Sequence, residues 1–234
     1  MNIVCLKWGD KYGPEYVNRL YSGVNRNCSI PFKFICFTDN DHGLNTNIQT
    51  IPIDSSSLPV NQRGFQGWWF KLHLFENNNG LNGRVVYIDL DTVITGNIDH
   101  ILQNTQGFVT LRDFYRGYPP NQPPRDEVGS GLLAWDHNEH DYLYSEFMPS
   151  AEKLMPRYPG GDQMWIQDRQ QERTYWQDHF PNQIVSFKAH CVPHRSRAKV
   201  SSKLPHDARI VCFHGPPRPH EVAHHDWMKQ HWID

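Results

Sequence analysis

Apolar positions in this chain fall into short bursts, many of them β-branched. Residues 2–6, 32–37, 48–53, 84–88, 108–111, 128–136 and 208–213 each form a compact run bounded by turn-forming residues, the signature of strands. Between the first two runs the period becomes helical: Val17, Leu20, Tyr21 and Val24 follow Gly13-Pro14, with proline near the first helical position. Residues 67–75 predict a second helix, stopped by Asn77-Asn78-Asn79-Gly80, with Trp68, Leu72 and Phe75 as a core-facing stripe. Leu143, Phe147 and Leu154 repeat a helical spacing that Pro149 interrupts. Gly160-Gly161 opens a further short helix, with Asp162 placed as its N-cap.

Strands alternating with helices predict an α/β fold built on a mostly parallel sheet. Such sheets bind ligands beyond the carboxyl ends of their strands. That rule sets Leu6, Lys7, Trp8 and Asp10, Thr38 and Asp39, and Asp89 and Asp91 along one rim.

The stretch 84–99 is the centre of this pattern. An apolar run ends at Asp89-Leu90-Asp91, and a Thr95-Gly96-Asn97 turn follows. Alternate residues of a strand share a face, so the two carboxylates point the same way, about 7 Å apart along the chain. Like charges that close are unfavourable unless something positive binds between them. A hard divalent cation held by carboxylate oxygens and by substrate phosphates would satisfy both.

The whole phrase, an apolar strand followed by Asp-x-Asp-apolar-apolar-x-Gly, resembles the donor site of glycosyltransferases with the nucleotide-diphospho-sugar fold, and most closely family 8. Further pieces follow in the family's order. The 67–75 helix carries Lys71, where related enzymes place a basic residue that reaches the donor diphosphate or the first aspartate. Val128-Gly129-Ser130-Gly131 is similar to the glycine-bearing strand that faces the donor sugar, without the family's Asn, and glycines let a ligand approach the backbone. Asp162-Gln163 matches the start of the family's Asp-Gln-Asp, while Met164 replaces its second Asp. His214-Gly215-Pro216-Pro217-Arg218 resembles a shortened form of its closing His-Gly-Lys segment.

The resemblance implies a GT-A architecture, Rossmann-like, with a mixed but mostly parallel sheet flanked by helices. It implies a metal-dependent transferase, hexosyltransferase-like, moving sugar from a nucleoside-diphosphate sugar, with uridine diphosphate as the expected carrier, to a saccharide or lipid-linked acceptor. Mn²⁺ or Mg²⁺ would be held by Asp89, Asp91 and His214. The donor would be bound by Leu6, Lys7, Trp8, Asp10, Asp39, Lys71, Asp89, Leu90, Asp91 and Arg218. Asp162 and Gln163 would form the catalytic centre: the family likeness implies retention of configuration, and Asp162 as a general base on the acceptor would imply inversion. Surface polysaccharide assembly is the usual setting of such enzymes.

Composition adds bounds. The chain of 234 residues suits one domain, with a donor-binding half over about 1–105 and an acceptor half over about 106–234. A formal net charge of −2 gives no electrostatic footprint for nucleic acid. Eight Trp, ten Tyr and fourteen His make a ring-rich chain, suited to stacking on sugars and equally to filling a core. Cys5, Cys28, Cys36, Cys191 and Cys212 show no paired spacing and read as buried free thiols of a reducing compartment. No run reaches the length of a membrane span, so a cytoplasmic protein is expected, with peripheral membrane docking left open. The proline-rich segment 115–127 reads as a loop that either closes over substrate, selects the acceptor or decorates the surface. His224 and His225 do not share a helix face and are expected at the surface.

Two other functions fit parts of the sequence. Ile88-Asp89-Leu90-Asp91-Thr92-Val93 also resembles the nucleophile motif of haloacid-dehalogenase-type phosphatases, with Asp89 as nucleophile, although that motif usually lies near the chain start. A non-catalytic nucleotide-sugar-binding domain would keep the donor site without turnover.

Overall fold

A computed structural model describes residues 1–59, 67–118, 122–193 and 201–234. A seven-stranded sheet runs in the order β3-β2-β1-β4-β7-β6-β8. Its strands are β1 (Asn2–Lys7), β2 (Lys33–Thr38), β3 (Gln49–Pro52), β4 (Arg84–Ile88), β6 (Val109–Arg112), β7 (Val128–Asp136) and β8 (Thr174–Tyr175). Only β7 runs against its neighbours. A smaller sheet, β5-β10-β9, joins β5 (Thr92–Ile94), β10 (Ile210–Cys212) and β9 (Ile184–Ser186). The expected mixed, mostly parallel α/β architecture is therefore the one observed.

Period-two alternation divides the core between the two faces of the large sheet. Ile3, Cys5, Val86 and Ile88 pack on one side with Val17, Leu20 and Val24 of helix α1 (Pro14–Asn27) and with the small sheet. Val4, Val85 and Tyr87 pack on the other with Trp69, Phe70, Leu72 and Phe75, and with Leu143, Phe147, Trp165 and Ile166. Gly23 lets α1 approach β5, since a Cβ there would stand 3.4 Å from the Ile94 side chain. The cysteines are free, four of them buried and Cys28 half-buried. Among the described residues no helix is long and apolar enough to cross a membrane.

Three local expectations are corrected. Gly67–Phe75 is a 3₁₀ helix rather than an α-helix. Its three-residue repeat does not keep Trp68 in line with Leu72 and Phe75, so those two are buried while Trp68 is 41 % exposed. Asp162 is not an N-cap: Gly161 takes that place, and Asp162 is the first residue of the helix Asp162–Arg169. His225 is buried and hydrogen-bonded to Ser202, whereas His224 is exposed as expected.

The segment between Leu143 and Leu154 breaks as its prolines require, into Tyr142–Ser145, a 3₁₀ turn Met148–Ser150 and Ala151–Leu154. The loop after β6 is tied at its base by Asp113 N–H to Glu127 O (2.7 Å) and Arg125 N–H to Gly117 O (2.8 Å). Its residues 119–121 lie outside the described residues.

The stack of Trp69 on Phe147, with centroids 4.8 Å apart and planes at 18°, joins the 3₁₀ helix to the segment behind it. Trp69→Ala is expected to lower unfolding free energy by about 3–5 kcal/mol, measured by urea denaturation. A change below about 1 kcal/mol would mean that this contact is dispensable.

Candidate active site

Parallel pairing of β1 with β4, with Val4 opposite Tyr87, brings their carboxyl ends side by side. Beyond them a cavity of about 110 Å³ is lined by Asp89, Asp91, Asp113, Phe114, Gly129, Ser130, Gly131, Gln163 and His214, among others. Residues far apart in the chain therefore meet at the place the strand-end rule names.

Lys71 is the hub. It is 4 % exposed, and its Nζ donates to Ser130 O and Ser130 Oγ, both at 3.1 Å. It also lies 3.3 Å from Asp89 Oδ1 and 3.2 Å from Asp162 Oδ2. Burial works against the ammonium, but the Asp162 and Asp89 carboxylates outweigh it and raise its pKa. Burial raises the Asp162 carboxyl above its ordinary range, and Lys71 and Ser130 oppose that shift. Asp89 Oδ1 also accepts from Tyr87 Oη, and the Asp89 N–H donates to Gly131 O at 2.9 Å. A Cβ on Gly131 would stand 3.1 Å from Asp89 Oδ2, so glycine there gives the carboxylate its room.

Asp91 is held by a second set of groups. Arg218 Nη1 donates to its Oδ2 at 2.8 Å and Tyr12 Oη at 3.0 Å, and the guanidinium also bonds the phenol oxygen. Burial and the neighbouring Asp89 push the Asp91 carboxyl up to about 7 against the opposing pull of Arg218. Leu90, between the two aspartates in the turn that follows β4, is buried in the core. The β10 end is fixed by Phe213 N–H donating to Asp91 O at 2.9 Å, which presents His214 to the same cavity.

His214 stacks against Phe114 (5.5 Å, 17°) and meets the edge of Tyr115. Its Nε2 is 2.6 Å from Ser186 Oγ. Burial, helped by nearby Lys188, lowers its pKa to about 4, so the imidazole is neutral, as a metal ligand must be.

Asp89, Asp91 and His214 thus line one cavity, but each is engaged by protein groups, and among the described residues no three His, Cys, Asp or Glu side chains are grouped as a metal site. Among the described residues no hydrogen bond reaches Asp89 Oδ2 or Asp91 Oδ1. Two carboxylate oxygens and a neutral imidazole suit a hard cation that also binds phosphate oxygens, so the donor set fits the expected metal.

Leu6, Lys7, Trp8, Asp10 and Asp39, expected at a donor site, are not among the residues that line the cavity. Asp39 accepts from Gly9 N–H at 3.2 and 3.1 Å, clasping the ends of β1 and β2. Trp8 packs on Phe70 and donates from Nε1 to Ser55 Oγ at 3.0 Å. Leu6 is half-buried, Lys7 buried and Asp10 exposed. Gln163 lines the cavity next to Asp162. Sequence reasoning missed Tyr12, Asp113, Ser186 and Lys188 as members of this neighbourhood. Ser130 was readable from the glycines flanking it; the others carry no motif.

No family model matches the chain, and no curated protein matches it in sequence. Its fold does match solved structures. An active-site mutant of LgtC superposes with a TM-score of 0.63, and a complex of the galactosyltransferase LgtC with donor and acceptor sugar analogues with 0.60. Each is 15 % identical, covering 94 % of this chain and 89 % of the other. The chain therefore has the GT-A fold. Its likeness to these two LgtC structures is one of fold.

Removing the buried cation would strand Asp162. Lys71→Met is expected to destabilise the fold by about 3 kcal/mol in urea denaturation at neutral pH. Stability within about 0.5 kcal/mol of the parent would mean that the Lys71–Asp89–Asp162 linkage is not what orders this region.

Proposed function

We propose that the chain is a metal-dependent glycosyltransferase that takes its sugar from a nucleoside-diphosphate sugar, with a uridine carrier, and passes it to a saccharide or lipid-linked acceptor. The observation that carries this reading is the Lys71 bridge, which joins the Asp-x-Asp strand end to Asp162 beside Gln163, on the GT-A fold. LgtC, which shares that fold, is a galactosyltransferase crystallised with donor and acceptor sugar analogues.

In the reaction, the bond from the anomeric carbon to the β-phosphate oxygen breaks with its electron pair on the phosphate. A new bond forms from the acceptor oxygen. Asp89, Asp91 and His214 are the residues that would hold Mn²⁺ or Mg²⁺, which when bound supplies Lewis-acid stabilisation of the diphosphate. Arg218 exchanges its hold on Asp91 for the phosphate oxygens, to which a planar guanidinium is matched. Asp162, paired with Lys71, and Gln163 face positive charge growing at the anomeric carbon. The acceptor proton leaves with the diphosphate if configuration is retained, and passes to Asp162 if it is inverted. Ser130 and the flanking glycines give the sugar a close approach to the β7 backbone.

The fold favours this reading over an Asp89 phosphatase, because β4 is the fourth strand of the chain and Asp89 is pinned by Lys71 and Tyr87. Work in the cytoplasm on surface polysaccharide belongs to the same proposal.

A panel of nucleotide sugars assayed for Mn²⁺-dependent hydrolysis and transfer tests it. The parent is expected to turn over at least one uridine-linked donor. Asp91→Ala should abolish metal-dependent binding of the nucleoside diphosphate by calorimetry, and Asp162→Asn should cut turnover by about 10²-fold or more while donor binding persists. Donor binding with no turnover of any donor would leave a binding module, turnover undiminished in Asp162→Asn would remove Asp162 from the catalytic centre, and a phosphoenzyme trapped on Asp89 would point to the phosphatase.

A further inference from the structure

The cations around Asp91 are not equivalent. Lys71 and Arg218 are each committed to a carboxylate, at 3.2–3.3 Å and 2.8 Å respectively. Lys188 and Lys11 lie within electrostatic reach of Asp91 and Arg218, yet among the described residues neither forms an ion pair. Lys11 is exposed, its ammonium 5.5 Å from the Tyr12 ring centroid. Lys188 is half-buried and placed by the fold itself.

Strand β9 pairs in parallel with β10, with Ser186 opposite Cys212. Carried two residues further, that register sets Lys188 alongside His214. The π-helical turn Phe187–Cys191 begins there, anchored by Ala189 N–H donating to Ser186 Oγ. The Lys188 Nζ donates to His214 O at 2.5 Å. An ammonium carries three donors, and among the described residues this carbonyl is the one acceptor that Lys188 reaches. Gly215 has a φ of +85°, and a Cβ there would stand 3.4 Å from Nζ, which places the ammonium beside the His214–Arg218 segment.

We propose that Lys188 is a diphosphate-binding residue of this site, the cation that meets the two phosphates of the nucleotide before Arg218 leaves Asp91. The inference rests on the nucleotide-sugar reading above and adds to it a residue that no motif marks. An anion arriving at Lys188 displaces no existing ion pair, whereas one arriving at Arg218 must first separate a guanidinium from a carboxylate. Two donors of the ammonium are available for charge-assisted hydrogen bonds to phosphate oxygens.

Calorimetry with uridine diphosphate and with inorganic pyrophosphate, each with excess Mn²⁺, tests the assignment, with uridine followed by saturation-transfer NMR. Lys188→Gln is expected to weaken both phosphate-bearing probes about tenfold or more and to leave uridine unchanged. Lys188→Arg should restore most of the loss, and Lys188→Ala serves as the neutral variant should the glutamine chain not fold. Unchanged affinity for the diphosphates in the neutral variants overturns the proposal, as does an equal loss of uridine, which would mark a structural role. Pyrophosphate bound through Lys188 without binding of any nucleoside diphosphate would uphold the inference while overturning the nucleotide-sugar reading. A parent protein that binds neither probe overturns both.

Discussion

The arrangement of this site depends on one buried ammonium. Lys71 is surrounded by a backbone carbonyl, a hydroxyl and two carboxylates, supplied by β7, by the end of β4 and by the helix that starts at Asp162. A lone charge in that position would be strongly unfavourable, so the fold is stable only when those oxygens come to it. That requirement draws Asp162 inward, away from capping its own helix, and orients Asp89 toward the cavity. Gly131 matters for the same reason, since a side chain there would press on the Asp89 carboxylate.

A second balance of charge surrounds Asp91. Arg218 and Tyr12 hold the carboxylate from one side, and burial together with Asp89 raises its affinity for a proton from the other. The site is thus nearly self-neutralised by its own chain. On the reading proposed above, an anion that reaches Arg218 would take the place of its partner Asp91. His214 is prepared differently, being kept neutral by burial and held by Phe114, Tyr115 and Ser186.

Much of this was legible because it depends on short-range pattern. The strand runs ending at Asp39 and Asp89 are marked by apolar bursts followed by polar residues, and the rule for parallel sheets turns those ends into a common rim, whereas His214 was reached only through the resemblance of its closing segment. Lys71 could be singled out by its place on the segment before the key strand. Trp68 could not be placed, because the stripe assumed a 3.6-residue repeat and the segment winds as 3₁₀. His225 was misjudged because it bonds Ser202 and packs near Phe187, both of which lie in other segments.

Local sequence marked seven of the strands and the two carboxylates that follow β4, since backbone alternation and side-chain branching act over only a few residues; the short strands β5, β8 and β9 it did not mark. The tertiary structure decided that Asp162 turns toward Lys71, that Arg218 and Tyr12 close on Asp91, and that Lys188 stands beside His214 through the pairing of β9 with β10. Those contacts join positions separated by up to about two hundred residues, and the choice of partner for a buried charge is made by whatever packing leaves within reach.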